Sequence, residues 1–223
     1  MREIIRKMLR YQNVSILQVG ANDGETADPI HALLIRHKGI HATRVEPLSE
    51  PFKKLELNSK RYAASTELFN ACVSKHDGIL SMRIPSHAEN GALNTLHASI
   101  SKSSKILPRH KEGQVQEVKS VTFETLLNIM KAPKPDIYIS DCEGYDIDLI
   151  EQLPKDLLGL RVVYIELWDN PQSPEATAKA LSRISTVLGR HGFNRIVWDG
   201  QDYLSWKSPR FSSSPYAEVL KAE

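Results

Sequence analysis

Residues 14–24, V-S-I-L-Q-V-G-A-N-D-G, decide how we interpret the rest of the chain. The apolar, β-branched first half predicts a buried strand that ends at Gly20, and the Asn-Asp-Gly turn predicts a tight loop. Asp28 and Pro29 then suit the start of a helix. Strand, loop and helix in this order form the first unit of a nucleotide-binding α/β fold. Because Gly20 has no Cβ atom, the chain can turn there and direct free N–H groups of the loop at a cofactor.

The composition argues against several classes of partner. The chain has 223 residues, of which 41% are hydrophobic and 25% charged, as in an ordinary globular protein. A net charge of only +2 leaves no basic field for nucleic acid, so we expect no nucleic-acid partner. No apolar run approaches the roughly 18 residues that span a bilayer, so we expect no membrane partner.

The beginning of the chain and its two cysteines bear on location. Residues 1–10 are charged throughout and lack the apolar core of a signal peptide, so residues 1–13 are expected to contain a short amphipathic helix. Cys72 and Cys142 make no disulfide framework. We therefore expect a cytoplasmic protein.

Strand patterns alternate with helix patterns along most of the chain, and a hairpin pattern closes it. This order predicts a mostly parallel sheet covered by helices on both faces, in a single domain spanning residues 1–223. We predict strands at 14–19, 40–45, 66–73, 78–84, 115–121, 136–141, 160–167, 193–198 and 203–206.

Helix caps and irregular segments complete this outline. Ser49 and Thr122 are expected to cap helices. Residues 85–113 lose periodicity and are interpreted as a lid or acceptor loop, and residues 207–223 as a loose C-terminal tail.

Carboxylates recur where the predicted parallel strands end, which is where such sheets bind ligands. The set comprises Asp23, Glu46, Asp141, Glu143 and Glu166. Glu46 lies 26 residues after Gly20, a distance at which an acid can accept the hydroxyl hydrogens of a bound ribose. A surface acid held by the turn at Pro47 is the alternative.

The loop itself discriminates between cofactors. A dinucleotide fingerprint would place glycine where this chain has Asn22 and Glu25, and Asp23 and Glu25 would repel a pyrophosphate. A cofactor with a positive centre and no phosphate, such as S-adenosylmethionine, suits this loop better. A NAD-linked Rossmann oxidoreductase and a non-catalytic nucleotide-binding module remain the alternatives.

Several motifs together resemble those of the FkbM-type methyltransferases. They are V-G-A-N-D-G at 19–24, V-E-P at 45–47, F-N-A-C-V-S at 69–74, V-T-F-E-T-L at 121–126 and D-I-Y-I-S-D-C-E-G-Y-D-I-D-L-I at 136–150. The resemblance covers residues 14–193. It implies the Rossmann-like class I methyltransferase fold with a seven-stranded sheet. It also implies S-adenosylmethionine-dependent methylation of a hydroxyl on a sugar, glycan or natural product.

Site residues follow from the same resemblance. It implies that residues 20–24 border the methionine part of the cofactor, that Glu46 holds the ribose and that residues 70–72 border the adenine. The expected cofactor-binding residues are Gln18, Gly20, Ala21, Asn22, Asp23, Gly24, Thr26, Glu46, Pro47, Asn70, Ala71, Cys72 and Asp141. Two positions depart from the pattern of the family. Gln18 stands where an acid is common, and Ser140 where serine is less frequent.

The reaction centre is expected at Asp141 and Glu143. Asp141 is favoured as the general base or as the group that orients the acceptor, with Glu143 second. Their structural alternatives are a helix N-cap for Asp141 and a first-turn charge for Glu143.

Other polar and aromatic residues are assigned no site role. Asp141, Glu143 and Glu166 offer oxygen ligands for magnesium, but no spacing rule requires a metal and none is predicted. His87 and His97 are interpreted as exposed loop residues, and Trp168, Trp198 and Trp206 as packing residues. The acceptor is expected to be a small molecule or a glycan, and the oligomeric state stays open.

Overall fold

A computed structural model of the chain describes residues 1–85, 98–100, 113–154, 159–167 and 174–207. The strands are β1 (Val14–Val19), β2 (Ile40–Val45), β3 (Ser65–Phe69), β4 (Cys72–Val73), β5 (Gly78–Pro85), β6 (Ser99–Ile100), β7 (Gly113–Val121), β8 (Ile137–Ser140), β9 (Val162–Glu166), β10 (Arg195–Trp198) and β11 (Asp202–Trp206). The helices are α1 (Arg2–Met8), α2 (His31–Arg36), α3 (Ser49–Ser59), α4 (Phe123–Ile129), α5 (Asp146–Glu151) and α6 (Pro174–Arg190).

Seven strands form the larger sheet, in the order β10-β11-β9-β8-β1-β2-β3. The run from β3 to β9 is parallel, whereas β11 pairs antiparallel with β9 and β10 pairs antiparallel with β11. The mostly parallel seven-stranded sheet with a C-terminal hairpin is therefore confirmed.

Helices cover this sheet on both faces, as predicted. Along β1, Ile16 packs in a core with residues of α1 and α2, whereas Leu17 packs in a second core with residues of α4, α5 and α6. All six residues of β1 are buried, since each face of the strand meets its own apolar layer. The predicted N-terminal helix is confirmed as α1, which contributes Ile5 and Met8 to the first core.

Thr122 caps its helix as expected, whereas the N-caps of α2 and α3 are Ile30 and Leu48 and not Asp28 and Ser49. Thr122 Oγ1 accepts a hydrogen bond from the Thr125 N–H at 3.1 Å at the start of α4. Asp28 Oδ1 accepts hydrogen bonds from the N–H groups of Ile30 and His31 before α2. The prediction for Ser49 is wrong, because Ser49 is already helical and makes no capping hydrogen bond. The chain enters α3 through Leu48, whose N–H is bound by the carboxylate of Glu46 instead.

A second, four-stranded sheet in the order β4-β7-β5-β6 was not predicted. Its main pairing is antiparallel between β5 and β7. The strand predicted at residues 66–73 is divided between the two sheets, since β3 ends at Phe69 and β4 begins at Cys72. Asn70 causes the break, because its side-chain amide donates hydrogen bonds to the carbonyl oxygens of Glu46 and Pro47 and turns the chain.

The expectation of an irregular segment at residues 85–113 is wrong in part. Residues Ser99–Ile100 form β6, which pairs antiparallel with β5 at Met82 and Arg83. Residues 86–97 and 101–112, with His87 and His97, lie outside the described residues, as do Trp168 and residues 208–223 of the tail.

The structure also bears on the predicted packing of the tryptophans and on the expectation of no membrane partner. Trp206 is buried in the core beside β9, whereas Trp198 on the edge strand β10 is 41% exposed. Within the described ranges, no helix has the length and apolarity needed to cross a membrane.

Candidate active site

A cleft opens at the carboxyl ends of the parallel strands, centred on β1 and β8. Most of the predicted site residues line it: Gln18, Gly20, Ala21, Asn22, Thr26, Glu46, Pro47, Ala71, Cys72, Asp141 and Glu143. The parallel register explains this, because Val19 of β1 is level with Val45 of β2 and with Ser140 of β8. The residues that follow these strand ends are therefore neighbours in space although they are far apart in sequence.

The turn after β1 requires glycine at position 20. Gly20 has a φ of +79°, and a Cβ atom built there would lie 1.9 Å from the carbonyl oxygen of Asp141. The loops after β1 and β8 thus approach each other more closely than any side chain would allow.

Strained backbone also concentrates at the cleft. Asn22, Ala27 and Glu143 have φ values of +46°, +55° and +49°, in the left-handed region that non-glycine residues rarely adopt. All three line the cleft. Such conformations cost on the order of 1–3 kcal/mol each and cluster at functional sites.

Glu46 is a buried carboxylate at the wall of the cleft, 5% exposed. Oε2 accepts a hydrogen bond from the Asn22 N–H at 2.8 Å, and Oε1 accepts one from the Leu48 N–H, also at 2.8 Å. Burial raises the pKa of Glu46 to about 7 despite these two hydrogen bonds, and the nearby charge of Asp23 adds to the rise. Because a carboxylate offers about four lone-pair directions, each oxygen of Glu46 can accept one more hydrogen.

The buried carboxylate of Asp146 stabilises the turn between β8 and α5. The Ser140 hydroxyl donates to Asp146 Oδ1 at 2.6 Å, and the Cys142 N–H donates to Oδ2 at 3.1 Å. Burial raises the pKa of Asp146 to about 6, although both hydrogen bonds oppose the rise. Asp146 is the first residue of α5, whose N-cap is Tyr145 and whose first turn contains Asp146 and Asp148. The alternative interpretations of Asp141 as a cap and Glu143 as a first-turn charge are therefore wrong.

Asp141 and Glu166 form a carboxyl pair at the floor of the cleft. Ser140 of β8 is level with Ile165 of β9, so the next residue on each strand lies beside its counterpart. Burial, followed by the charge of the neighbouring Glu166, raises the pKa of Asp141. Asp141 is exposed to solvent at the mouth of the cleft. The charge of Glu166 is therefore a better-supported cause of its raised pKa than burial.

The C-terminal hairpin supports this pair from the other side. Gln201 Nε2 donates a hydrogen bond to Glu166 Oε1 at 2.5 Å. Tyr164, which also lines the cleft, donates its hydroxyl hydrogen to Asp202 Oδ2 at 2.5 Å. The hairpin turn itself is held by Asp199, whose Oδ1 accepts the N–H groups of Gln201 and Asp202.

Three predicted cofactor residues are not among those that line the cleft: Asp23, Gly24 and Asn70. Asp23 accepts hydrogen bonds from the N–H groups of Glu25 and Thr26 and from the Thr26 hydroxyl, so it shapes the loop. A Cβ atom at Gly24 would meet Leu55, Arg44 and Tyr62, so this glycine is required for packing. The Asn70 side-chain amide binds the carbonyl oxygens of Glu46 and Pro47 and so stabilises the bend between β3 and β4.

A buried ion pair beneath the first loop was missed from the sequence. The fully buried Arg44 is paired with Asp28, which lines the cleft, and Arg44 Nε donates to Gln18 Oε1 at 2.9 Å. Gln18 and Arg44 are register partners on β1 and β2. A buried cation requires an anion nearby, so the Arg44 position is the signal that predicts such a partner.

Apolar side chains from the small sheet and its neighbourhood, including Leu48 at the start of α3, form another wall that the sequence did not reveal. They are Leu48, Val73, Met82, Ala98 and Ile100. Four of these five pack with Cys72 in a separate apolar cluster around the small sheet: Leu48, Met82, Ala98 and Ile100. The cleft therefore has an acidic end beside β8 and β9 and an apolar end beside the small sheet.

The two cysteines are free and are not activated nucleophiles. Burial raises the pKa of Cys72 to about 12 and that of Cys142 well above its usual value. Because the thiolate is the reactive form, neither side chain suits nucleophilic catalysis. In the part of the chain that the structure describes, no group of three or more histidine, cysteine, aspartate and glutamate side chains is arranged to hold a metal ion.

Comparison with known proteins agrees with the sequence motifs. The model of the methyltransferase FkbM domain family matches residues 18–194. The chain belongs to the FkbM methyltransferase family.

Solved structures with a similar fold have low sequence identity. A methyltransferase from Pyrococcus furiosus has 15% identity and a TM-score of 0.42, with 92% of this chain and 79% of that chain covered. A SAM-dependent methyltransferase from Aquifex aeolicus has 12% identity and a TM-score of 0.42, with 90% of this chain and 87% of that chain covered. A search of curated protein sequences found no match.

Proposed function

We propose that this methyltransferase transfers a methyl group from S-adenosylmethionine to a hydroxyl oxygen of a sugar, glycan or other small molecule. The observation that carries the proposal is Glu46, a buried acid at the cleft wall whose two oxygens each retain acceptor capacity. A ribose presents two neighbouring hydroxyl donors that match this arrangement. Family membership supports methyl transfer as the reaction.

The rest of the cleft fits the same cofactor. Gly20, Ala21 and Asn22 offer close backbone approach for the amino-acid part, and the acids beside β8 suit a sulfonium centre. The apolar end next to Cys72 and Met82 suits the adenine ring. When bound there, S-adenosylmethionine supplies a methyl group activated by the positive sulfur.

The protein contributes positioning and a proton acceptor. Methyl transfer is an in-line displacement, so holding the acceptor oxygen against the methyl carbon supplies much of the rate enhancement. A hydroxyl acceptor must also lose its proton. Asp141 is our candidate for the base or for the group that orients the acceptor, with Glu143 second, because both carboxylates lie in the cleft.

The NAD-linked alternative is disfavoured by charge. Asp23 and Glu25 lie in the first loop, where a pyrophosphate would have to bind, and Asn22 replaces a glycine of the fingerprint. The remaining alternative is a non-catalytic module that binds a nucleotide but transfers no methyl group.

Ligand-induced stabilisation tests the proposal. Thermal unfolding is followed with S-adenosylmethionine, S-adenosylhomocysteine and NAD in separate samples. A ligand at about 100 times its dissociation constant stabilises a protein by roughly 2.7 kcal/mol, which raises the melting temperature measurably. We expect the first two ligands, and not NAD, to raise it. If NAD alone raises the melting temperature, the proposed cofactor is wrong. If S-adenosylmethionine raises it but no labelled methyl group is transferred to any cell-extract fraction, the protein is better explained as a non-catalytic binding module.

A further inference from the structure

We propose that the proton acceptor of the reaction is the carboxyl pair of Asp141 and Glu166, in which Glu166 carries the negative charge and Asp141 carries the shared proton. The inference rests on the proposed function and goes beyond it, because it moves the base from Asp141 to a residue on a different strand. Asp141 then becomes the group that orients the acceptor.

Geometry brings the two carboxyl groups together. They follow level positions on the adjacent parallel strands β8 and β9, both line the cleft, and they lie close enough for the charge of Glu166 to act on Asp141. Two carboxyl groups this close share a proton, because ionising both would place two negative charges side by side.

Their surroundings decide which residue keeps the proton. Gln201 Nε2 donates a hydrogen bond to Glu166 Oε1 at 2.5 Å. Hydrogen bonds donated to a carboxylate favour its charged form. Asp141 instead faces the acids Asp146 and Glu143, whose charges oppose its ionisation.

Among the residues that the structure describes, the groups that interact with the pair come from three neighbouring segments. They are Cys142, Glu143 and Asp146 from the segment that joins β8 to the first turn of α5, Tyr164 of β9, and Gln201 and Asp202 at the start of β11. Each is acidic or neutral, so none of them favours loss of the shared proton. The pair therefore stays singly protonated around neutral pH.

The proton balance of the reaction follows. The O–H bond of the acceptor breaks as its oxygen bonds to the methyl carbon, and the electron pair of the carbon–sulfur bond stays on sulfur. The proton passes to the Glu166 carboxylate, and the pair becomes neutral. Release of one proton to solvent restores the charged pair for the next turnover.

Carbon-13 NMR of the full-length protein with labelled aspartate or glutamate carboxyl groups tests where the proton resides. At pH 7.5 we expect one aspartate signal of a protonated carboxyl group, and it should disappear in Asp141→Asn. In Glu166→Gln the signal should become that of a carboxylate, since the neighbouring charge is gone. Ionised Asp141 or protonated Glu166 in the wild type would overturn the assignment.

A rate measurement on an extract fraction that the wild type methylates tests the role. Glu166→Gln should slow turnover on the order of a hundredfold, the range of a lost general base. Asp141→Asn should slow it at most about tenfold, because the amide can still donate a hydrogen bond to Glu166. The surface variant Glu151→Gln is the control.

The reverse order of these losses would return the base to Asp141 and overturn the inference while leaving the proposed function intact. Binding of S-adenosylhomocysteine, measured in parallel, distinguishes failure of the function itself. No binding by the wild type would contradict the proposed function whatever the NMR spectra show.

Discussion

Glu46 is the residue on which cofactor binding is expected to depend, and its burial makes that binding sensitive to pH. Its carboxyl group has a pKa of about 7 in the free protein because the surrounding walls disfavour the charge. Ribose hydroxyls that donate to the carboxylate favour the charged form, so the pKa should fall in the complex. Ligand binding below pH 7 must then release a proton.

We therefore predict that the affinity for S-adenosylhomocysteine rises between pH 6 and pH 7 and levels off above it. The slope approaches tenfold per pH unit on the acidic side. Titration calorimetry in two buffers of different ionisation enthalpy measures both the affinity and the released proton. Glu46→Gln, which cannot ionise, should bind more weakly and without this slope. An equal slope in wild type and variant would assign the titration to another group.

At the scale of single residues, the sequence predicted the positions that follow strand ends and missed the pairings within the site. Glu46 and Asp141 were recognisable because each comes directly after a predicted strand. The neighbouring positions of Asp141 and Glu166 were not, because they depend on the register of two strands. Arg44 was hidden for a similar reason, since its partner Asp28 belongs to another element.

At the scale of elements, the contact between the loops after β1 and β8 holds the cleft together. A methyl group at Gly20 would overlap the carbonyl oxygen of Asp141, which is backbone and cannot rotate away. Gly144, three residues further along the second loop, also has a positive φ, of +91°, but has open space around its Cβ position. An alanine at Gly144 would suffer backbone strain alone, whereas an alanine at Gly20 would suffer both backbone strain and steric overlap.

Gly20→Ala should therefore destabilise the protein far more than the matched control Gly144→Ala. We expect roughly 1–2 kcal/mol for the control, the cost of a left-handed conformation with a Cβ atom. For Gly20→Ala we expect at least about 3 kcal/mol, since the loops must also separate. Equilibrium unfolding in urea measures both free energies. Similar losses in the two variants would show that the loops are not in the close contact described.

Secondary structure was predicted well where one pattern dominates a segment. The bounds of β2 coincide with the prediction, because Gly39 before the strand and Pro47 after it delimit the segment. The extra sheet escaped prediction because β5 pairs with β7 across residues 86–112, and nothing local indicates that partner. Ser49 was misassigned because α3 already begins at Ser49: the N-cap is Leu48, whose carbonyl oxygen accepts the N–H of Phe52.

At the scale of the whole molecule, the parallel sheet creates the cleft by bringing the ends of β1, β2, β8 and β9 to one edge. The order of strands and helices predicted this sheet, its hairpin and its covering helices. The small sheet adds the apolar end of the cleft, which the sequence did not reveal. The extent of the domain, residues 1–223, and a role of residues 85–113 as an acceptor lid stay predictions.

The central claim is that the cleft at the ends of the parallel strands binds S-adenosylmethionine with its ribose on Glu46. A crystal structure of the protein with S-adenosylhomocysteine tests this claim most directly. We expect both ribose hydroxyls within hydrogen-bond distance of the Glu46 carboxylate, the adenine beside Cys72 and the sulfur facing Asp141 and Glu166. An empty cleft in the presence of saturating ligand, or a ribose bound away from Glu46, would contradict it.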